Sequence, residues 1–164
     1  MRTIILIAHN LRSAHNVGSL LRTADGLGLQ TVYLTGYTPY PVMEHDERLP
    51  HLAQKISKQI TKTALGAESS QSWVHADDIS TVLTALKDEG FVIAALEQAE
   101  NAILLPQYKS PEKIALIVGR EVEGVEHELL DACDTIIEIP MYGRKESFNV
   151  SVAAAIALYS LQQP

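Results

Sequence analysis

Cysteine is almost missing from this chain. Its 164 residues contain one, Cys133, so no internal disulfide can form and no cysteine-based metal spacing exists. Cys133 stands beside Ala132 in an expected helix and reads as a small buried thiol rather than a nucleophile. The six histidines show no His-x-x-x-His spacing, and no metal site is expected. No apolar run approaches the roughly 20 residues of a membrane span. The first residues lack the charged, apolar and small-residue sections of a secretory signal, so the expected compartment is the cytoplasm and no membrane partner is expected. No Gly-x-Gly-x-x-Gly follows any strand-like run, which excludes an ordinary dinucleotide fold, and no Gly-x-Ser-x-Gly elbow marks an α/β-hydrolase. Excess positive charge is missing too. The net charge of −7 argues against an evenly basic nucleic-acid binder.

What is present is regular alternation. Apolar strand-like runs at Thr3–Ala8, Thr31–Gly36, Ser72–His75, Phe91–Leu96, Ile114–Val118 and Thr135–Ile139 alternate with helical segments. This predicts an α/β fold with a mostly parallel sheet and helices on both faces. Ligands in such sheets sit beyond the carboxyl ends of the strands, which directs attention to the loops after Leu96, Val118 and Ile139. Segment 66–71 reads as a small-residue loop. Asp77 and Asp78 suit the start of a helix running to about Glu89, a short helix is expected at 125–132, and a terminal one at 148–161. That last helix has almost no polar face, so it is expected to be tucked into the fold or covered by a second copy of the chain.

Charge is unevenly spread. From Arg48 to Ala67 there is no acidic residue, yet Arg48, Lys55, Lys58 and Lys62 are all there. Leu52, Ile56 and Ile60 recur every four residues, so the segment after Pro50 reads as an amphipathic helix with the lysines on its other face. That stripe is either a solvated face or a phosphate-binding one.

Three motifs carry chemistry. In the first, Asn16 opens a helix whose stripe is Val17, Leu20, Leu21 and Ala24, and Arg22 lies off that stripe. Gly18, one turn before Arg22, leaves a slot where a guanidinium and backbone could meet an anion. The plainer reading pairs Arg22 with Asp25 and makes Asn16 a helix cap. In the second, Gly119 and Gly124 have P-loop spacing, but Val125-Glu126 stands where Lys-Ser/Thr is needed, so no nucleotide P-loop is present. What remains is a tight turn carrying Glu121. In the third, Ile139-Pro140-Met141 leads to Ser147-Phe148-Asn149-Val150-Ser151, with Ser147 read as the cap and Asn149 in the first helical turn.

Together, Asn16–Asp25, Gly119–Gly124 and Ile139–Ser151 resemble the motifs of the SpoU, or TrmH-type, branch of the SPOUT RNA methyltransferases, over essentially the whole chain. The resemblance implies methyl transfer from S-adenosylmethionine, leaving S-adenosylhomocysteine, to a ribose 2′-hydroxyl of RNA, with tRNA favoured over rRNA. It also implies a single domain over 1–164 with a C-terminal trefoil knot, acting as a homodimer. Carried over by position, Arg22 stands at the reacting hydroxyl with Asn16 placing it, and Glu121, Ser147 and Asn149 shape the site. Leu96, Glu97, Gly119, Ile139, Met141, Ser147 and Phe148 fall where the cofactor is wrapped. Phe148 replaces the leucine common in the family. With no N-terminal RNA-binding extension before the first strand, RNA contacts are expected from Arg12, Arg48, Lys55, Lys58, Lys62, Arg144 and Lys145. The rival reading is a non-catalytic RNA-binding or assembly factor that keeps the fold. A small-molecule methyltransferase would suit the acidic charge but leaves the lysine stripe unused.

Overall fold

The computed structural model describes residues 2–163. Seven strands form one sheet in the order β3-β2-β1-β6-β4-β7-β5, and every pairing is parallel. They are β1 (Thr3–His9), β2 (Thr31–Thr35), β3 (Trp73–Ala76), β4 (Val92–Leu96), β5 (Ile103–Leu104), β6 (Lys113–Val118) and β7 (Thr135–Glu138). The central pair, β1 and β6, is buried along nearly its whole length, as continuous aliphatic runs in two-sided parallel sheets require. The two-residue β5 at one edge, and the 3-10 turn Leu105–Gln107 after it, are too short to leave a periodic signal in sequence.

Alternate side chains of each strand feed two cores. On one face Ile4, Leu6, Leu116 and Val118 pack against α1 (Ala14–Leu27), α2 (Pro50–Ala64) and α6 (Val150–Gln162). On the other, Ile5, Ile7, Ile93 and Ile117 pack against Val82, Leu83 and Leu86 of α4 (Ile79–Asp88) and Leu129 of α5 (His127–Asp131). Helices thus cover both faces, as the alternation predicts.

Local differences from the sequence reading have physical causes. The segment expected as a loop holds the one-turn helix α3 (Ala67–Ser70), because Ala67 is drawn into the main core. Cys133 lies just past α5 rather than within it, half-buried, and burial pushes its thiol pKa up to about 11. On α2 the buried residues are Ala53, Ile60 and Ala64, while Leu52 is exposed. The helix is rotated so that small alanines meet α1 closely. Gly18 explains that choice: a Cβ there would overlap the Ile60 carbonyl and the Thr63 hydroxyl. The slot expected at Gly18 is therefore filled by α2 and is not an anion site.

Helix α6 is apolar for two reasons. Ala154, Ala157, Leu158 and Leu161 are buried against α1 and the sheet. Val152, Ile156 and Tyr159 form a second apolar face that is open to solvent in the single chain, at 47%, 38% and 62% exposure.

Candidate active site

A cavity of about 300 Å³ opens at the carboxyl edge of the sheet, a size within reach of small-ligand pockets. Three loops build it, those following β4, β6 and β7. Every residue assigned by resemblance to the cofactor lines it: Leu96, Glu97, Gly119, Ile139, Met141, Ser147 and Phe148. Its apolar wall includes Val118, Val150 and Ala153. The β6 turn is closed by reciprocal hydrogen bonds between the Arg120 and Gly124 backbones, 3.0 and 3.1 Å. Gly119 has no room for a side chain against the Gly124 carbonyl, and Gly124 adopts a left-handed φ of 72°. Glu97 seals the same turn, its carboxylate accepting from the Val125 N–H at 2.8 Å. That makes Glu97 a strut of the wall as well as a lining residue.

At the mouth of the cavity the three motifs are wired together. Ser13, not Asn16, caps α1, accepting the Asn16 N–H at 3.2 Å. This frees the Asn16 side chain, whose amide donates to Glu121 and whose oxygen accepts from Asn149, each at 3.2 Å. Glu121 also accepts from the backbone N–H groups of Ser13 at 2.9 Å and Arg12 at 3.1 Å. Burial pushes the Glu121 carboxyl up, but the bonds from Ser13, Arg12 and Asn16 outweigh it and hold the carboxyl below its ordinary pKa. Asn149, not Ser147, caps α6, its oxygen accepting the Ser151 N–H at 2.9 Å. Moving both caps by a few residues leaves Asn16 and Asn149 side chains able to meet. Ser147 is an exposed lining residue instead.

Arg22 stands apart. It lies nearly two turns along α1 from Asn16, is exposed, and does not line the cavity. It has no ion-pair partner among the described residues; Asp25 instead accepts from Ser70 at 2.8 Å. The remaining basic residues divide sharply. Lys55, Lys58, Lys62, Arg144 and Lys145 are exposed, and Arg12 is exposed beside Glu123 at 3.0 Å. Arg48 is consumed internally: it donates to Asp46 and to the carbonyls of Tyr40 and Pro41, and lies 3.5 Å over the Tyr40 ring. No group of residues that could hold a metal occurs among the described residues, and no described helix is long and apolar enough to cross a membrane.

A second polar network escaped the sequence reading. Asn10, at a left-handed φ of 55°, donates through its amide to His9 Nε2 at 3.0 Å and to Glu126 at 3.1 Å. Because that amide only donates, His9 Nε2 accepts, and Nδ1–H donates to Thr35 at 2.9 Å. The imidazole is therefore neutral, in keeping with a pKa lowered chiefly by burial. Glu126 pairs in turn with Arg120 of the cavity wall. Only the polar pair His9-Asn10 closing an aliphatic strand hinted at it.

A doubly covered parallel sheet with a cavity built from its carboxyl-edge loops and the start of α6 defines an α/β protein with a small-ligand site at that edge. Residues 3–159 match the SpoU rRNA Methylase family, and the chain belongs to that family. It is 32% identical over 157 residues to a Staphylococcus aureus (strain COL) protein assigned to the TrmH family of tRNA/rRNA methyltransferases, covering 96% of this chain and 57% of that protein. It is 30% identical to the 23S rRNA (guanosine-2′-O-)-methyltransferase RlmB of Ralstonia nicotianae, covering 95% and 57%. A crystal structure of an RNA 2′-O ribose methyltransferase superposes with a TM-score of 0.78 at 30% identity, over 97% of this chain and 55% of that one. The chain thus spans little more than half the length of these relatives.

Proposed function

We propose that this protein transfers a methyl group from S-adenosylmethionine to a ribose 2′-hydroxyl of RNA, with tRNA the first choice and rRNA the second. One observation carries the reading. The Glu121–Asn16–Asn149 chain of hydrogen bonds joins all three motifs at the mouth of a cavity lined by every residue assigned to the cofactor. The cavity suits that cofactor chemically. Leu96, Val118, Ile139 and Phe148 offer apolar contact for a purine, and Ser147 and the backbone of the turns offer polar contacts. When bound, S-adenosylmethionine supplies an electrophilic methyl on a sulfonium centre. The 2′-RNA activities of RlmB and of the superposed enzyme support the same reaction here.

The chain's own residues meet the remaining needs. A ribose hydroxyl is a poor nucleophile until its proton leaves. A guanidinium, with pKa above about 12, is ill-suited to take that proton. Arg22 instead grips a phosphate and stabilises the oxygen as it becomes negative, while the phosphate or solvent takes the proton. Its exposed, unpaired state leaves it free to do so. Lys55, Lys58, Lys62, Arg144 and Lys145 hold the RNA backbone. Two copies associate through the open face of α6, which brings one copy's Arg22 to the other's cavity, and the C-terminal segment that ends in α6 forms a trefoil knot.

The test is transfer of labelled methyl into unmodified tRNA and, separately, unmodified rRNA. Arg22→Ala is expected to lower transfer by about 10²–10³-fold while S-adenosylmethionine affinity stays unchanged. Label in neither pool, with intact protein, overturns the reading in favour of a binding or assembly factor.

A further inference from the structure

Tyr37 is held in the open by a backbone fixed on both sides. Its N–H donates to Asn10 Oδ1 at 3.2 Å. Gly36 before it has φ 64°, and a Cβ there would strike the Asn10 amide. Thr38 after it is buried, donating through its hydroxyl to the Ala8 carbonyl at 2.9 Å and accepting from the Leu11 N–H at 3.0 Å. Beyond, Arg48 ties the loop to the Tyr40 and Pro41 carbonyls. Yet the ring itself is 54% exposed. It projects from the end of β2, on the same sheet edge as the cavity, and its peptide is hydrogen-bonded to Asn10, two residues before Arg12. The Arg12 peptide N–H is bound by Glu121, so Arg12 is fixed to the motif network. The only carboxylate paired with the Arg12 guanidinium among the described residues, that of Glu123, is exposed and readily exchanged for another anion.

We propose that Tyr37 is a stacking platform for a base of the RNA entering the site, with Arg12 exchanging Glu123 for the adjoining phosphate. This deepens the RNA reading above and rests on it. Aromatic stacking gives affinity with little sequence preference, because every base has a π-face. A ring carried on a backbone fixed before binding loses less entropy on contact than one carried on a free loop.

Tyr37→Phe, which keeps the stack, and Tyr37→Leu, which keeps only bulk, separate the possibilities. Each is assayed for binding to fluorescently labelled unmodified tRNA and rRNA, and for the KM of RNA and of S-adenosylmethionine. Tyr37→Leu is expected to weaken RNA binding and raise the RNA KM about tenfold, leaving the S-adenosylmethionine KM unchanged. Tyr37→Phe is expected to match the wild type. Overturning results are a Leu variant that binds RNA like the wild type, a Phe variant as weak as Leu, or both KM values rising together. Binding is read apart from transfer. A protein that binds RNA through Tyr37 but transfers no methyl would keep the platform and sink the methyltransferase reading.

Discussion

Two loops at the carboxyl edge of the sheet contain the same kinds of residue and behave oppositely. Loop 36–49 has tyrosine, proline and arginine, and satisfies itself: Tyr40 stacks on His75 with centroids 3.8 Å apart, Arg48 covers the other side of Tyr40, and Asp46 holds Arg48. Loop 139–149 also has tyrosine, proline and arginine, but Tyr142 is 91% exposed and Arg144 and Lys145 are free on the surface. Its described ties are Gln98 to the Glu146 carbonyl at 2.7 Å and Asn149 to Asn16. Beyond Tyr37 at its start, the first loop has spent its polar groups on structure. The second has kept them, and a loop that closes part of a cavity while keeping its donors is ready to close on a ligand.

The largest way to break that contrast is to remove the anchor of Asn16, the residue through which the open loop is linked to the other motifs. Glu121→Ala strands the N–H groups of Arg12 and Ser13 and the Asn16 amide. Methyl transfer is expected to fall by about 10²-fold, as misplacement of a site by an ångström does. Hydrogen exchange should quicken in 139–149 and stay unchanged in 36–49. Next in size is a paired substitution measured by denaturant unfolding. Arg48→Ala is expected to cost about 1–3 kcal/mol, through lost charged hydrogen bonds and unpaired carbonyls, with little effect on RNA affinity. Arg144→Ala should change stability by less than about 0.5 kcal/mol and weaken RNA binding instead. Equal stability losses would erase the distinction.

The smallest effect is in acid. Hydrogen bonds from Arg48 hold Asp46 far below the usual carboxylate pKa. A carboxyl lowered in the folded state contributes stability that is complete above its unfolded pKa, near 4, and is lost as pH falls toward the folded value. Melting temperatures from pH 5 to pH 2 should therefore drop less in Arg48→Ala than in the wild type, because part of the loss has already been taken. Arg144→Ala should run parallel to the wild type.

The sheet was readable because β1, β4 and β6 hold unbroken aliphatic runs, whose burial depends on little beyond their own residues, and because β2 alternates Val32 and Leu34 inward. The cavity was readable for a related reason, since strand ends in a parallel sheet fix where loops converge. Caps were misjudged at Asn16 and Ser147, because several polar residues in succession can each accept a helix's first N–H, and only the three-dimensional competition for Glu121 and Asn16 decides. Gly18 looked like half of an anion site because a missing side chain does not say what fills the space. Arg48 looked as available as Lys55 in a row of charges, since Asp46 two residues earlier can pair or ignore it. The His9–Asn10–Glu126–Arg120 network was hidden because its members lie far apart in the chain and no local period links them.

The sheet order also governs the timing of manufacture. β1 leaves the ribosome first, and its partner on one side, β2, follows within some twenty residues. Its other partner, β6, begins at Lys113. Until then a strand with five consecutive aliphatic residues, Ile4–Ala8, has an unpaired edge, the kind of template on which nascent chains aggregate. A helper that shields apolar edges during synthesis is therefore expected to raise the yield of this protein more than one acting after release.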